Sequence, residues 1–263
     1  MIARPKTSFW YQLGIQRRVI WALVMREMIT RFGREGLGVL WLVGEPAMFI
    51  VGVMIIFSLV DQAHGGISVA EYLAVSYPTI ILWRNTTGRV AKALEANAAL
   101  LHLNPIRPVD LFYSRIVLEF SGAIASFLIL YLVFVAIGIC QWPDNVLLMT
   151  FGYFMVAWFS FGFVLIMGAL SELSETIDRV SHIILYLMLP FSGIFMPAHL
   201  VPDQYRDLLL LTPLINTVEM FHAGYFGDRM VTYYSIPYTM SINLLMTFAG
   251  LLLVNIAIRR VKL

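Results

Sequence analysis

The sequence has a single cysteine, Cys140, so no internal disulfide forms and no redox compartment is implied. It has three lysines, Lys6, Lys92 and Lys262, and none of them follows a glycine. A phosphate-cradling GxxxxGK loop is therefore excluded, and with it P-loop ATP hydrolysis on this chain. The five histidines, His64, His102, His182, His199 and His222, show neither HExxH nor paired-ligand spacing, which argues against a metal centre. No serine sits in a GxSxG frame. Charge is scarce as well: 13% of the residues are charged, against about a quarter in an ordinary soluble domain. These absences leave no catalytic constellation and no cofactor site on the chain itself.

What is present in quantity is hydrocarbon. Sixty per cent of the 263 residues are hydrophobic and the mean hydropathy is +0.80. That composition describes an all-α integral membrane protein, with no room for a sizeable soluble domain once the spans are subtracted. The first long apolar run begins only at Leu37, beyond a normal signal-peptide core, so no cleavable signal is expected.

The walk along the chain predicts six transmembrane helices. Residues 1–36 form a cytoplasmic N-terminus with an amphipathic interface helix from Gln16 to Arg34: Ile20, Val24 and Met28 recur at i+4, and Glu27 to Arg31 is a favourable i, i+4 pair. Two readings stay open for it, a helix lying on the bilayer and a docking element for a cytoplasmic partner. The transmembrane domain covers residues 37–258, with spans at about 37–60, from Ala70 onward, 111–139, 145–170, ending near Pro197, and 236–258; residues 259–263 form a cytoplasmic tail. Between spans two and three, Glu95 to Asp110 is a polar connection whose first part can form a short helix ended by Asn104-Pro105. Residues 198–235 contain an apolar run cut by Pro213 and too short to cross, which fits a re-entrant outer hairpin between helices 5 and 6.

Sixteen of the eighteen basic residues fall on one side of this layout, and only Arg206 and Arg229 on the other. By the positive-inside rule both termini are cytoplasmic.

A charge inside the bilayer costs ~2.5–3.5 kcal/mol or more at the centre, so such residues are informative. Glu45 lies about 12 Å into the first span at ~1.5 Å per residue, which reads as a structural carboxylate near the inner interface, followed by Pro46 as a potential kink. Arg84, Gly88 and Lys92 share an i, i+4 stripe on the second span, with Asn85 and Arg89 beside it. These basic residues either snorkel to headgroups or line an inner mouth that meets an anionic substrate. Sugar rings can stack on aromatics at membrane depth, among them Trp41, Tyr77 and Trp83, but such residues more often pack or anchor the belt.

The stretch "REMITRFGREGLGVLWLVGEP" resembles the signature of ABC type-2 exporter permeases, through Arg26, Glu27, Thr30, Arg31, Phe32, Leu37, Gly38, Leu40, Trp41, Glu45 and Pro46. Within that group the chain is similar to the capsular polysaccharide permeases (KpsM-type) and their O-antigen relatives (Wzm-type). A second block, Phe191 to Phe226, resembles the family's S-G-x-x-x-P…N-P-L…E-x-x-R run, with Thr212 in place of the usual asparagine and His222 in place of arginine.

The resemblance implies a homodimeric inner-membrane permease that works with two copies of an ATP-binding cassette subunit, which carry ATP and Mg. The cargo would be a lipid-linked polysaccharide, the receiver a periplasmic or outer-membrane export protein; no nucleic-acid partner is expected. Arg26, Glu27, Arg31, Glu95, Asn97 and His102 would couple to the ATPase. Arg84, Arg89, Lys92, Trp41, Tyr77 and Trp83 would line the substrate path. The alternatives are another cargo on the same fold (O-antigen, teichoic acid, lipid or drug) and, from a different class, a proton-coupled carrier or membrane-embedded enzyme.

Overall fold

The computed structural model describes residues 9–32, 38–58, 67–102 and 106–260. Ten α-helices are found among them: α1 Phe9–Phe32, α2 Gly38–Ser58, α3 Val69–Ile80, α4 Thr86–Val90, α5 Pro108–Ala136, α6 Val146–Leu173, α7 Glu175–Leu187, α8 Asp203–Leu210, α9 Pro213–Phe226 and α10 Ile236–Arg260. Three of them, α5, α6 and α10, are long and apolar enough to cross a membrane by length and composition. This all-helical architecture with apolar helices is that of a multi-pass membrane protein.

The second predicted span is one helical run of three pieces. Pro78 sits inside α3, the next turn is π-helical over Ile81–Asn85, and α4 then carries the run to Val90. Proline has no N–H to close its i−4 bond, and a widened turn next to it is a common accommodation.

The fifth predicted span differs from expectation. Its helical part, α7, covers only thirteen residues, about 20 Å at ~1.5 Å per residue. Pro190 opens a 3₁₀ turn directly after it, and Gly193 at φ 75° reverses the chain. A regular helix rarely continues through a proline followed by a left-handed residue. The segment Ser171 to Arg179, predicted as an acidic lead-in, belongs to the helices: it ends α6 and starts α7, where Glu175 and Asp178 face the positive helix terminus.

The connection from Glu95 is 3₁₀-helical over Glu95–His102, in line with its sequence, but kinked at Asn97, which takes φ −124° and ψ 22°. The third span begins at Pro108, three residues before the predicted Leu111, because Pro108 suits a first helical turn and the Asp110 carboxylate accepts the Arg107 N–H at 2.8 Å.

Helix α6 is the central element, packed against α9 and α10. Small residues set these approaches. A methyl group on Gly152 would lie 2.5 Å from the Phe221 backbone, and one on Gly224 would lie 2.0 Å from Met149 N. Close backbone contact of this kind is how apolar helices gain dispersion energy where no hydrophobic driving force separates them from lipid.

Residues 198–235 form a helical hairpin of α8 and α9. Helix α9 is nearly all buried, whereas α8 buries nothing. Polar side chains fasten it. Glu219, fully buried, accepts the Ala198 and Tyr233 N–H groups, both at 3.0 Å. Asn216 donates to Leu210 O and accepts the Ser235 N–H. The two basic residues of this side are both committed. Arg206 donates to Ala198 O and Val201 O, pairs with Asp203, and stacks on Tyr233. Arg229 pairs with Glu71 at 3.0 Å, and Tyr225 donates to the same carboxylate. His222 lies fully buried inside this core, its Nε2 2.7 Å from the Ser76 hydroxyl.

Candidate functional site

Two groups of charged residues gather at the end of the bundle opposite Glu71 and Arg229. The first is a basic pocket. Because the run from α3 to α4 continues through its π-turn, Arg84, Asn85, Gly88 and Arg89 come to one side of it, facing His182, Leu185 and Tyr186 of α7. They enclose about 220 Å³. The Arg84 guanidinium lies over the Tyr186 ring at 4.6 Å, an attraction worth about 0.5–1 kcal/mol at exposed sites. Arg89 pairs with Glu119 of α5 at 3.3 Å. Tyr186 and His182 are exposed, so the pocket opens to the outside of the chain. Two arginines, an amide and an imidazole around a volume of this size offer donors on several sides to an anionic oxygen group.

The second group ties α1 to the loop beyond α4. Arg26 Nη1 donates to Asn97 Oδ1 at 3.0 Å, and the Asn97 amide donates to Ala93 O at 3.0 Å. Glu27 pairs with Arg115 of α5 at 3.6 Å, an ion pair longer than a hydrogen bond. Arg115 Nη1 donates to the Arg89 carbonyl at 3.0 Å, and Glu172 at the end of α6 accepts the Leu94 N–H at 2.6 Å. Arg115 thus joins α1 to the backbone of Arg89, which lines the pocket.

Of the predicted coupling residues, the structure brings Arg26 and Asn97 together and sets Glu27 one helix away on Arg115. Glu95 is exposed and pairs with Lys92 at 3.3 Å, and the carboxylate raises the Lys92 pKa above its ordinary value. The side chains of Arg31 and His102 lie outside the described residues, as do those of Trp41, Glu45 and Pro46.

Of the predicted path residues, Arg84 and Arg89 share the pocket. Lys92 does not continue their stripe: α4 ends at Val90, Lys92 takes φ 53°, and its side chain turns to Glu95. Trp83 is fully buried and packs edge-on against Phe163, inside the bundle rather than on the pocket. Tyr77 stacks on Phe49 of α2 at 4.5 Å.

Sequence reasoning passed over Glu119, Arg115, His182 and Tyr186 as site residues. Glu119 carried a readable signal, since a carboxylate inside a long apolar run calls for a named partner. His182 and Tyr186 lie an i, i+4 step apart on α7, yet nothing in their own segment shows that it faces Arg84.

A family model described as ABC-2 type transporter matches residues 18–226. The chain is 34% identical over 257 residues to the capsule polysaccharide export inner-membrane protein CtrC of Neisseria meningitidis, covering 97% of each chain. It is 35% identical over 252 residues to the capsule polysaccharide export inner-membrane protein BexB of Haemophilus influenzae, covering 95% of each. It is 27% identical over 240 residues to the polysialic acid transport protein KpsM of Escherichia coli, covering 91% of this chain and 93% of the other.

Proposed function

The chain belongs to the ABC-2 type transporter family, and from that premise we propose that it is the transmembrane permease subunit of an ATP-driven exporter of capsular polysaccharide. The observation that carries the reading is the similarity to capsule export inner-membrane proteins along nearly the whole chain. The cargo is a lipid-linked, acidic polymer, moved from cytoplasm to periplasm across the bacterial inner membrane. Six spans cross that membrane, both termini are cytoplasmic, and the α8–α9 hairpin is half-inserted from the outer side. Asymmetric basic residues support the orientation.

Two copies of the chain form the conduit, and two copies of an ATP-binding subunit, which hold ATP and Mg, dock beneath. Support for the dimer comes from α7, whose Ile183, Tyr186 and Leu187 are exposed apolar side chains beside an outward-opening pocket. The basic pocket receives the phosphate or carboxylate groups of the cargo: Arg84 and Arg89 supply fixed positive charge, and Glu119 holds Arg89 in place. With Arg89 already paired to Glu119, the site binds a polyanion less tightly at each step than two free arginines would, which suits passage better than tight capture.

Docking against α1 and the Glu95–His102 turn gives the ATPase a lever. Motion there passes through Arg26 to Asn97, and through Glu27 and Arg115 to the Arg89 carbonyl. The deciding experiment purifies the tagged protein from its native membrane and assays ATPase activity on what accompanies it. A co-purifying P-loop subunit, with activity lost on charge reversal at Glu27 and Arg31, is the expected outcome. A chain that runs alone and hydrolyses nothing overturns the reading.

A further inference from the structure

A groove of about 850 Å³ lies between α1 and α5, away from both charged groups described above. Leu13, Arg17, Ile20, Trp21 and Val24 line it from α1 and fall on one helical face at i, i+4, i+7, i+8 and i+11. Val117 forms its floor on α5. The exposed side of α5 continues the apolar surface from there through Ile124, Leu128 and Leu132, each between 41 and 54% exposed, like Val117 itself. The groove therefore starts under an interface helix and opens onto a lipid-facing stripe of a helix long and apolar enough to span the bilayer.

Charge at the rim selects what fills it. Arg17 and Arg18 are both exposed and line the groove. Among the described residues no carboxylate pairs with either. The Asp110 carboxylate behind Gln16 is buried and already accepts from the Gln16 amide and the Arg107 N–H. Trp21, 62% exposed, stands one turn from Arg17 on α1, and an indole ring is a side chain that favours the headgroup region.

We infer that this groove holds a resident anionic phospholipid, its phosphate against Arg17 and Arg18 and an acyl chain along Val117 and the exposed side of α5. An apolar trough alone would accept any acyl chain; two uncompensated arginines at its mouth favour a headgroup of net negative charge over a zwitterionic one. The lipid would wedge α1 against α5 and so steady the helix on which Arg26 and Glu27 stand.

The test reconstitutes the full-length protein in nanodiscs of equimolar phosphatidylglycerol and phosphatidylcholine, then counts lipids retained on gentle detergent transfer by native mass spectrometry. The wild type should keep a phosphatidylglycerol. The R17Q/R18Q variant should lose that preference by on the order of thirtyfold, about what removing two basic residues near an anionic surface is worth. Val117→Trp, which fills the trough and leaves the arginines, should lose the lipid as well. Unchanged melting temperatures in neutral detergent separate these effects from misfolding. Equal retention of the two lipids by the wild type, wild-type retention by both variants, or a bound mass that matches no phospholipid overturns the inference. No transport is assayed, so this outcome is independent of whether the export reading stands.

Discussion

Arg89 and Glu119 meet at 3.3 Å across α4 and α5, the carboxylate almost wholly buried and the guanidinium partly open to the pocket. Removing the carboxylate leaves a guanidinium without its counter-ion; removing the guanidinium leaves a buried carboxylate. Breaking a fully buried pair costs about 3–5 kcal/mol. With Arg89 partly exposed, Glu119→Ala should cost less, about 1–3 kcal/mol, read as a lowered melting temperature in detergent. Arg89→Gln should destabilise by a similar amount. A melting curve unchanged in both variants would remove the pair from the account of the fold.

Arg84 is a different case, because its only described partner is the face of Tyr186. Arg84→Ala should leave expression and melting temperature close to wild type and reduce export several-fold, with Arg84→Lys intermediate. Cell-surface polysaccharide measured by immunoblot on whole cells gives the reading. Normal export by Arg84→Ala would sink the assignment of the pocket to the cargo.

The Arg26–Asn97 bond joins α1 to the turn proposed to receive the ATPase. Arg26→Ala and Asn97→Ala should each weaken the link between ATP hydrolysis and export, and the double variant should be no worse than the poorer single one. A cycle on thermal stability should return a coupling of about 0.5–1.5 kcal/mol, the size of an ordinary hydrogen bond and up to that of one to a charged group. Strictly additive effects would mean that the two residues act separately.

Glycines separate into two kinds. Gly152→Ala places a methyl 2.5 Å from the Phe221 backbone, where no side chain can rotate away, so α6 and α9 must part. Overpacking of this kind costs about 1–3 kcal/mol or more. Gly14→Ala meets nothing within 4 Å inside α1 and should stabilise by about 0.5–1 kcal/mol through helix propensity. Melting temperatures moving in opposite directions would bear this out.

Glu219 bridges two backbone N–H groups at the ends of the α8–α9 hairpin. Glu219→Ala strands the buried Ala198 N–H and the part-buried Tyr233 N–H and should cost about 2–4 kcal/mol, at about 1–3 for the first group and less for the second. Glu219→Gln keeps one good acceptor and should cost roughly half as much. Equal loss in the two variants would point to packing volume, not hydrogen bonding, as the role of this side chain.

Membrane embedding, the helical class and the permease family could be read from the chain alone. Apolar runs of that length with so few charges have no stable soluble fold, and the block from Arg26 to Pro46 lies in one continuous stretch. Two local events were only half legible. A proline such as Pro78 disturbs a helix, but whether the chain breaks, kinks or widens there depends on its neighbours; here it is followed by a π-turn that carries Arg84 toward α7. Lys92 looked continuous with Arg84 on a regular helix, an assumption that failed when the helix ended two residues earlier at Val90.

Sequence by itself determined where charge is tolerated: the long apolar runs and the scarcity of charge within them follow from the cost of taking ions out of water, which acts on every residue alone. Tertiary structure decided which charges meet. Arg89 and Glu119 are thirty residues apart, Glu27 and Arg115 eighty-eight, Arg229 and Glu71 one hundred and fifty-eight. Pairing over such separations has no local signature, because it is fixed by the packing of α6 against α9 and α10 and of α1 across α5.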